Sequence, residues 1–159
     1  MSADAPRDAH PGRGLIDTDI LILRAHIPAS ALPDELAISA VTLAELCAGV
    51  HLVVGDDVVA RRERAARMDV LQRAEHEFHP LPFDASAARA YGRICAAVAG
   101  IGRQPRRRVA DLQIAAVACA NDLPMSTTSP GNFEGVDELV TVVGIQSTRT
   151  VRRAWSPST

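Results

Sequence analysis

Residues 14–22 read Gly14-Leu15-Ile16-Asp17-Thr18-Asp19-Ile20-Leu21-Ile22. The first four are short, apolar and closed by an acid, which is the pattern of a buried strand carrying a carboxylate at its carboxyl end. A short helix is expected over 18–25. Working outward, Leu36-Ala-Ile-Ser39 reads as a second buried strand, followed by a helix over 42–51. Gly55-Asp-Asp57 caps a long Arg-rich helix running to about residue 77. Residues 78–83 read as a third strand interrupted by Pro80 and Pro82. Residues 84–99 form an amphipathic helix, with Ala87, Ala88, Tyr91, Ile94, Cys95 and Val98 at helical spacing. The segment 100–105 breaks it. Residues 109–121 are apolar on nearly every side, so that helix is expected to be central and covered. Pro124-Met-Ser-Thr127 and the segment 139–144 complete the set as fourth and fifth strands. Short buried strands alternating with helices indicate a parallel sheet covered on both faces. The working site of such a sheet lies at the carboxyl ends of its strands.

The chain has 159 residues, which suits one domain. The boundaries expected are a disordered leader over 1–12, a folded domain over 13–145 and a carboxyl-terminal tail over 146–159. Seventeen basic residues against nineteen acidic ones leave a net charge of −2, so the chain is not generically polybasic. Every basic residue is Arg. The absence of Lys removes a phosphate-loop lysine, a Schiff-base lysine and a Ser–Lys dyad. Cys47, Cys95 and Cys119 lack paired spacing and are read as small buried hydrophobes in a reducing compartment. No signal-peptide pattern and no apolar run of membrane-spanning length is present, so a soluble cytoplasmic protein is expected.

Three acids fall where the site should be. Asp17 ends the first strand, Glu45 is expected in the first turn of the next helix, and Asp111 in the first turn of the central helix. Each has an ordinary structural reading as well. Thr42-Leu-Ala-Glu45 has capping-box spacing, and Asp111 suits a helix N-terminus. Asp17 is harder to explain that way, because a carboxylate on an apolar strand is costly unless paired or bound. Asp84 reads as an N-cap. Asp19 reads as solvated or local to its helix, or as part of the same acidic edge. Hard oxygen ligands with no nearby His or Cys favour Mg²⁺ or Mn²⁺. Such an ion lowers the pKa of a water and binds phosphate oxygen, the chemistry of phosphodiester hydrolysis.

The segments around Asp17, Ile38-Ser-Ala-Val-Thr-Leu-Ala-Glu45-Leu, Arg108-Val-Ala-Asp111-Leu-Gln-Ile-Ala-Ala116 and Leu123-Pro-Met-Ser-Thr127 together resemble a PIN-domain ribonuclease. Within that family they resemble the toxin of a VapBC-type toxin–antitoxin pair. The resemblance implies an α/β fold, a PIN-like α/β/α sandwich with a four- to five-stranded parallel sheet. It also implies Mg²⁺ or Mn²⁺ held by Asp17, Glu45 and Asp111, and cleavage of RNA, often tRNA or rRNA. A small antitoxin would block the site, and homodimers and toxin–antitoxin hetero-oligomers are expected. Asp84 matches a position that is frequently acidic. The likeness departs from the pattern T-x-[DN]-x-x-D-F after the last buried strand, where this chain reads Thr127-Thr-Ser129-Pro-Gly-Asn132-Phe133. Thr127, Ser129 and Asn132 are therefore supporting positions. Ser129 would position a water, and the neutral pair implies a weaker hold on a second metal.

Arg103, Arg106, Arg107 and Arg108 precede Asp111. Arg106, Arg107 and Arg108 are the candidates for holding RNA phosphates, against the alternative of a solvated loop. Arg61, Arg62, Arg64 and Arg67 read as a solvated helix face. His76 and His79, at a helix-to-strand junction, do not reliably face one ion. With only 3% aromatic residues, a base-stacking platform is not expected. The rival reading is a catalytically weak PIN-like module that binds RNA or protein. A phospho-receiver domain is disfavoured by the missing lysine.

Overall fold

A computed structural model of the chain describes residues 12–149. Four parallel strands form one sheet: β1 (Arg13–Ile16), β2 (Glu35–Ala37), β3 (Met125–Thr127) and β4 (Val142–Gly144). Their order is β2-β1-β3-β4, with Leu15 opposite Ala37 on one side and Met125 on the other. Five helices surround it: α1 (Thr18–Leu23), α2 (Ala40–His51), α3 (Val58–Glu77), α4 (Ala85–Gly100) and α5 (Val109–Ala120).

Alternation along β1 builds the layers, since neighbouring side chains on a strand point to opposite faces. Leu15 joins a core with Ile94 and Val98 of α4, Leu112 and Ile114 of α5, Met125 and Phe133. Ile16 joins the other core, with Ile20 of α1, Leu46 and Val50 of α2, Leu71 and Ala74 of α3, and Ile145. The result is the expected α/β/α sandwich. Gly14 is needed for close approach, because a Cβ there would meet Pro33 Cγ at 2.7 Å.

The expected third strand at 78–83 is absent as a strand. Pro80 and Pro82 have no N–H to give to a ladder. Only Leu81 pairs, in a single parallel bridge to Ser39 in which Leu81 N donates to Ile38 O and Ala40 N to Leu81 O, both at 2.8 Å. The sheet therefore has four strands.

The Arg-rich face of α3 divides. Arg61 and Arg62 are exposed. Arg67 is buried, donating to Glu63 at 2.8 Å and to the carbonyl of Gly49 in the last turn of α2 at 2.7 Å. Arg64 donates to the carbonyls of Val53 and Gly55. Both close the α2–α3 hairpin, Arg67 by satisfying a carbonyl that the end of α2 leaves open and Arg64 by bonding two carbonyls in the loop after it, so the solvated reading holds for only part of this face. Cys47, Cys95 and Cys119 are free and only partly buried. No described helix is long and apolar enough to cross a membrane. The expected leader 1–12 lies almost wholly outside the described residues, as does the segment beyond residue 149.

Candidate functional site

Each acid is placed by a local structural decision. Asp17 follows β1 and is the N-cap of α1, with Oδ1 accepting from Ile20 N at 3.0 Å. Its Oδ2 accepts from the Thr127 hydroxyl at the end of β3. The same Thr127 oxygen accepts from Ser129 N at 3.0 Å, so one buried hydroxyl ties Asp17 to the turn that follows β3. Asp19 lies in the first turn of α1.

Glu45 reaches the site by a different route from the expected cap. Ser39 is the N-cap of α2, its Oγ accepting from Thr42 N at 3.0 Å. That starts the helix at Ala40 and puts Glu45 in the second turn, so no Thr42–Glu45 capping box forms. The freed carboxylate instead accepts from the Thr18 hydroxyl. Asp111 lies in the first turn of α5, where no side chain supplies the N-cap hydrogen bond. Asn132 Nδ2 donates to its Oδ2 at 3.4 Å. Asp84 accepts from Ala87 N at 2.9 Å and acts as the cap of α4.

The four acids share one electrostatic environment. Burial pushes the Asp17 carboxyl up to about 7, against the lowering effect of its bonds to Thr127 and Ile20. Burial likewise raises Glu45, Asp111 and Asp19. The Asp19 charge adds to the rise at Asp17, Glu45 and Asp111, and the Arg108 guanidinium offsets part of it at Asp111. Asp19 is thus part of the acidic edge. Its place two residues beyond Asp17, on the first turn of a helix starting at the site, is the sequence signal for it.

This donor set is all oxygen, with Arg108 as the cation that acts on it, and it suits a hard divalent cation. Among the described residues no three acidic, His or Cys side chains are closed around one point. One oxygen of Asp17 and one of Glu45 each accept from a threonine hydroxyl. Asp17, Glu45 and Asp111 are the residues that could hold the ion, with Asp19 beside them.

Two polar clefts border the acids. One, of about 290 Å³, is lined by Arg103, Gln104, Arg107, Arg108 and Asn132. Arg103 braces it by donating to Gly131 O at 2.7 Å. The other, of about 190 Å³, is lined by Asp19, Thr128, Ser129, Gln146, Ser147 and Arg149. Ser129 and Asn132, the two ends of one short turn, divide between them. Arg106 is exposed on the same 3₁₀ turn as Arg107 and Arg108 and lines neither. A larger cleft, beside Arg24, Leu32 and Phe78, contains none of these acids.

The family model for the PIN domain matches residues 15–138. Ribonuclease VapC5 of Mycobacterium tuberculosis (strain ATCC 25618 / H37Rv) is 34% identical over 135 residues, 83% of this chain and 93% of that protein. The crystal structure of VapBC-5 from Mycobacterium tuberculosis, a member of the VapBC family of toxin–antitoxin systems, superposes with a TM-score of 0.71 at 34% identity. That match covers 86% of this chain and 99% of the other. FitAcB from Neisseria gonorrhoeae matches with a TM-score of 0.61 at 26% identity, over 80% of this chain and 94% of the other.

Proposed function

This chain belongs to the PIN domain family, and from that premise we propose that it is a metal-dependent endoribonuclease acting as the toxin of a toxin–antitoxin pair. The observation that carries the reading is the joining of Asp17, Glu45, Asp111 and Asp19 in one electrostatic cluster, bordered by the arginine-lined cleft of Arg107 and Arg108. The 34% identity to a ribonuclease and the likeness to a toxin–antitoxin structure support it.

Asp17, Glu45 and Asp111 would hold Mg²⁺ or Mn²⁺, which supplies a water of lowered pKa and positive charge at the scissile phosphate. Thr127 and the Ile20 amide hold the two oxygens of the Asp17 carboxylate in place. Thr18 holds one oxygen of Glu45. Arg108, half-buried beside Asp111, offsets the repulsion an incoming phosphate meets from the acids. Arg107 and Arg106 extend that positive edge along the strand. Ser129 lies beside Asp19 and is available to hold a water.

The partners are RNA, with tRNA or rRNA the expected targets, and a small antitoxin protein that covers the acids. The chain would work in the cytoplasm, as a homodimer and in toxin–antitoxin hetero-oligomers. The neutral residues Ser129 and Asn132 favour one rival, a module that binds RNA and cuts it slowly. Purified protein incubated with total RNA in Mg²⁺, Mn²⁺ or EDTA separates the two. Discrete metal-dependent fragments, lost in Asp17→Asn and Asp111→Asn, support the nuclease. Intact RNA under every condition supports the binding module.

A further inference from the structure

Glu45 accepts from the Thr18 hydroxyl, and that hydroxyl has a second neighbour. Thr18 Oγ1 lies 3.4 Å from Thr42 Oγ1, and Thr42 Oγ1 lies 3.2 Å from Ser39 Oγ. Three hydroxyls thus run in series from the N-cap of α2 to the Glu45 carboxylate. Ser39 and Thr42 have no exposed surface, so bulk water serves neither of them. Thr18 opens α1, while Ser39, Thr42 and Glu45 belong to the start of α2, so the series ties the two helices together beside the acids.

The donor count sets the direction of each bond. A hydroxyl has one proton to give, and an ionised carboxylate has none. With Glu45 in the form that holds a cation, the Thr18 proton goes to Glu45. The proton between Thr18 and Thr42 must then come from Thr42, and the one between Thr42 and Ser39 from Ser39. Ser39 Oγ in turn accepts from Thr42 N at 3.0 Å. Every hydroxyl in the series gives once and accepts once, and head-to-tail chains of this kind polarise and strengthen their members. The cap of α2 needs only the Ser39 oxygen and the Thr42 amide. It makes no use of the Thr42 hydroxyl, whose only hydrogen-bond neighbours among the described residues are Ser39 and Thr18.

We propose that Thr42 is a positioning residue for the cation. Its hydroxyl orients that of Thr18, which then holds one oxygen of Glu45 and leaves the other to the ion. The inference rests on the reading of Asp17, Glu45 and Asp111 as a metal site.

The test is binding of Mn²⁺ alone to the full chain, with free Mn²⁺ read by electron paramagnetic resonance. Thr42→Val keeps the shape and the amide that caps α2, and removes only the hydroxyl. It should weaken Mn²⁺ binding about threefold to tenfold, the span of one neutral hydrogen bond. Thr42→Ala, which needs less room, should do the same, and Thr42→Ser should restore the parent affinity. In a Thr18→Val background, Thr42→Val should weaken binding no further, because its effect passes through Thr18. Equal affinity in the parent chain, Thr42→Val and Thr42→Ala overturns the proposal. So does an equal loss in both backgrounds, which would mark a general loosening of α2. A parent chain that binds no Mn²⁺ removes the metal reading of the acids, and the role of Thr42 with it. A parent chain that binds Mn²⁺ while Thr42→Val binds it equally well keeps that reading and removes only the role of Thr42.

Discussion

The hydroxyl of Thr127 donates to the carboxylate of Asp17 across 110 residues of sequence, joining the ends of two neighbouring parallel strands. Both groups are buried, and the bond opposes the effect of burial on Asp17. Thr127→Val keeps the shape and removes the donor. The Asp17 carboxyl should then hold its proton to higher pH. The acid limb of a cleavage profile in Mn²⁺ should move upward in pH, which a series of initial rates from about pH 5.5 to about pH 8.5 would reveal.

Asp17→Asn and Asp111→Asn should each reduce metal-dependent cleavage by at least about 100-fold, since even outer-shell partners of a metal are worth roughly 10- to 100-fold. The fold should survive. The asparagine amide introduced by Asp17→Asn still offers an oxygen to Ile20 N, and a costly buried charge is gone. In EDTA at about pH 8 the melting temperature of Asp17→Asn should equal or exceed that of the parent chain. A sharply lower value would mean that the charge itself is structural.

Stability without metal should fall as pH rises. The Asp17 carboxyl titrates near 3.8 when exposed and at about 7 when folded, so between these values the folded chain binds the extra proton. The stabilisation from this group is complete below about pH 4 and is lost as pH rises through about 7, at up to about 1.4 kcal/mol per pH unit. The raised Glu45, Asp19 and Asp111 act in the same direction. Urea melts in EDTA at about pH 5 and about pH 8 measure it. Adding Mn²⁺ should restore stability at the higher pH and do little at the lower one, where protons compete for the same oxygens.

Arg107→Gln/Arg108→Gln should raise KM for RNA more than it lowers kcat if these residues position the strand. Removing Arg108 also takes away the charge that steadies Asp111 as a carboxylate. Steady-state cleavage of one labelled RNA at two salt concentrations resolves the effect, because a protein that neutralises fewer phosphates has a flatter salt dependence.

Gly135 has φ +93°, and a Cβ there would stand 2.9 Å from Ile101 Cδ1. Gly135→Ala should cost about 1–2 kcal/mol, from left-handed backbone strain plus the shift forced on Ile101. A thermal melt checks it. Cleavage per folded molecule should be nearly unchanged, since Gly135 lines neither cleft beside the acids.

The elements that came from local chemistry were legible in the sequence. β1 announces itself by the apolar Gly14-Leu-Ile16 closed by Asp17, α5 by being apolar on nearly every side, and Asp57 and Asp84 by their position as caps. Features decided by competition were harder to read. Thr42 and Glu45 have capping spacing, but Ser39, three residues before Thr42, supplies the better-placed oxygen and releases Glu45 toward Thr18. The apolar residues at 78–83 fit a strand until the two prolines remove its donors. Arg64 and Arg67 resemble their solvated neighbours in sequence. Only the hairpin geometry shows that they meet the open carbonyls at the end of α2 and in the loop after it. The places of the acids after strands and at helix starts set the expectation that they meet, and the place of Asp19, two residues beyond Asp17, made it a candidate for the same edge, while how strongly its charge acts on the others depends on the folded geometry.

The order of the sheet also has a temporal side. β1 emerges first from a ribosome, yet it is flanked in the finished sheet by β3, which follows it by more than a hundred residues. A nascent chain already displaying Asp17, Glu45 and Asp111 still lacks the Thr127 hydroxyl and the Ile145 anchor. The network around Asp17 is therefore completed only once the chain as far as Ile145 has been made.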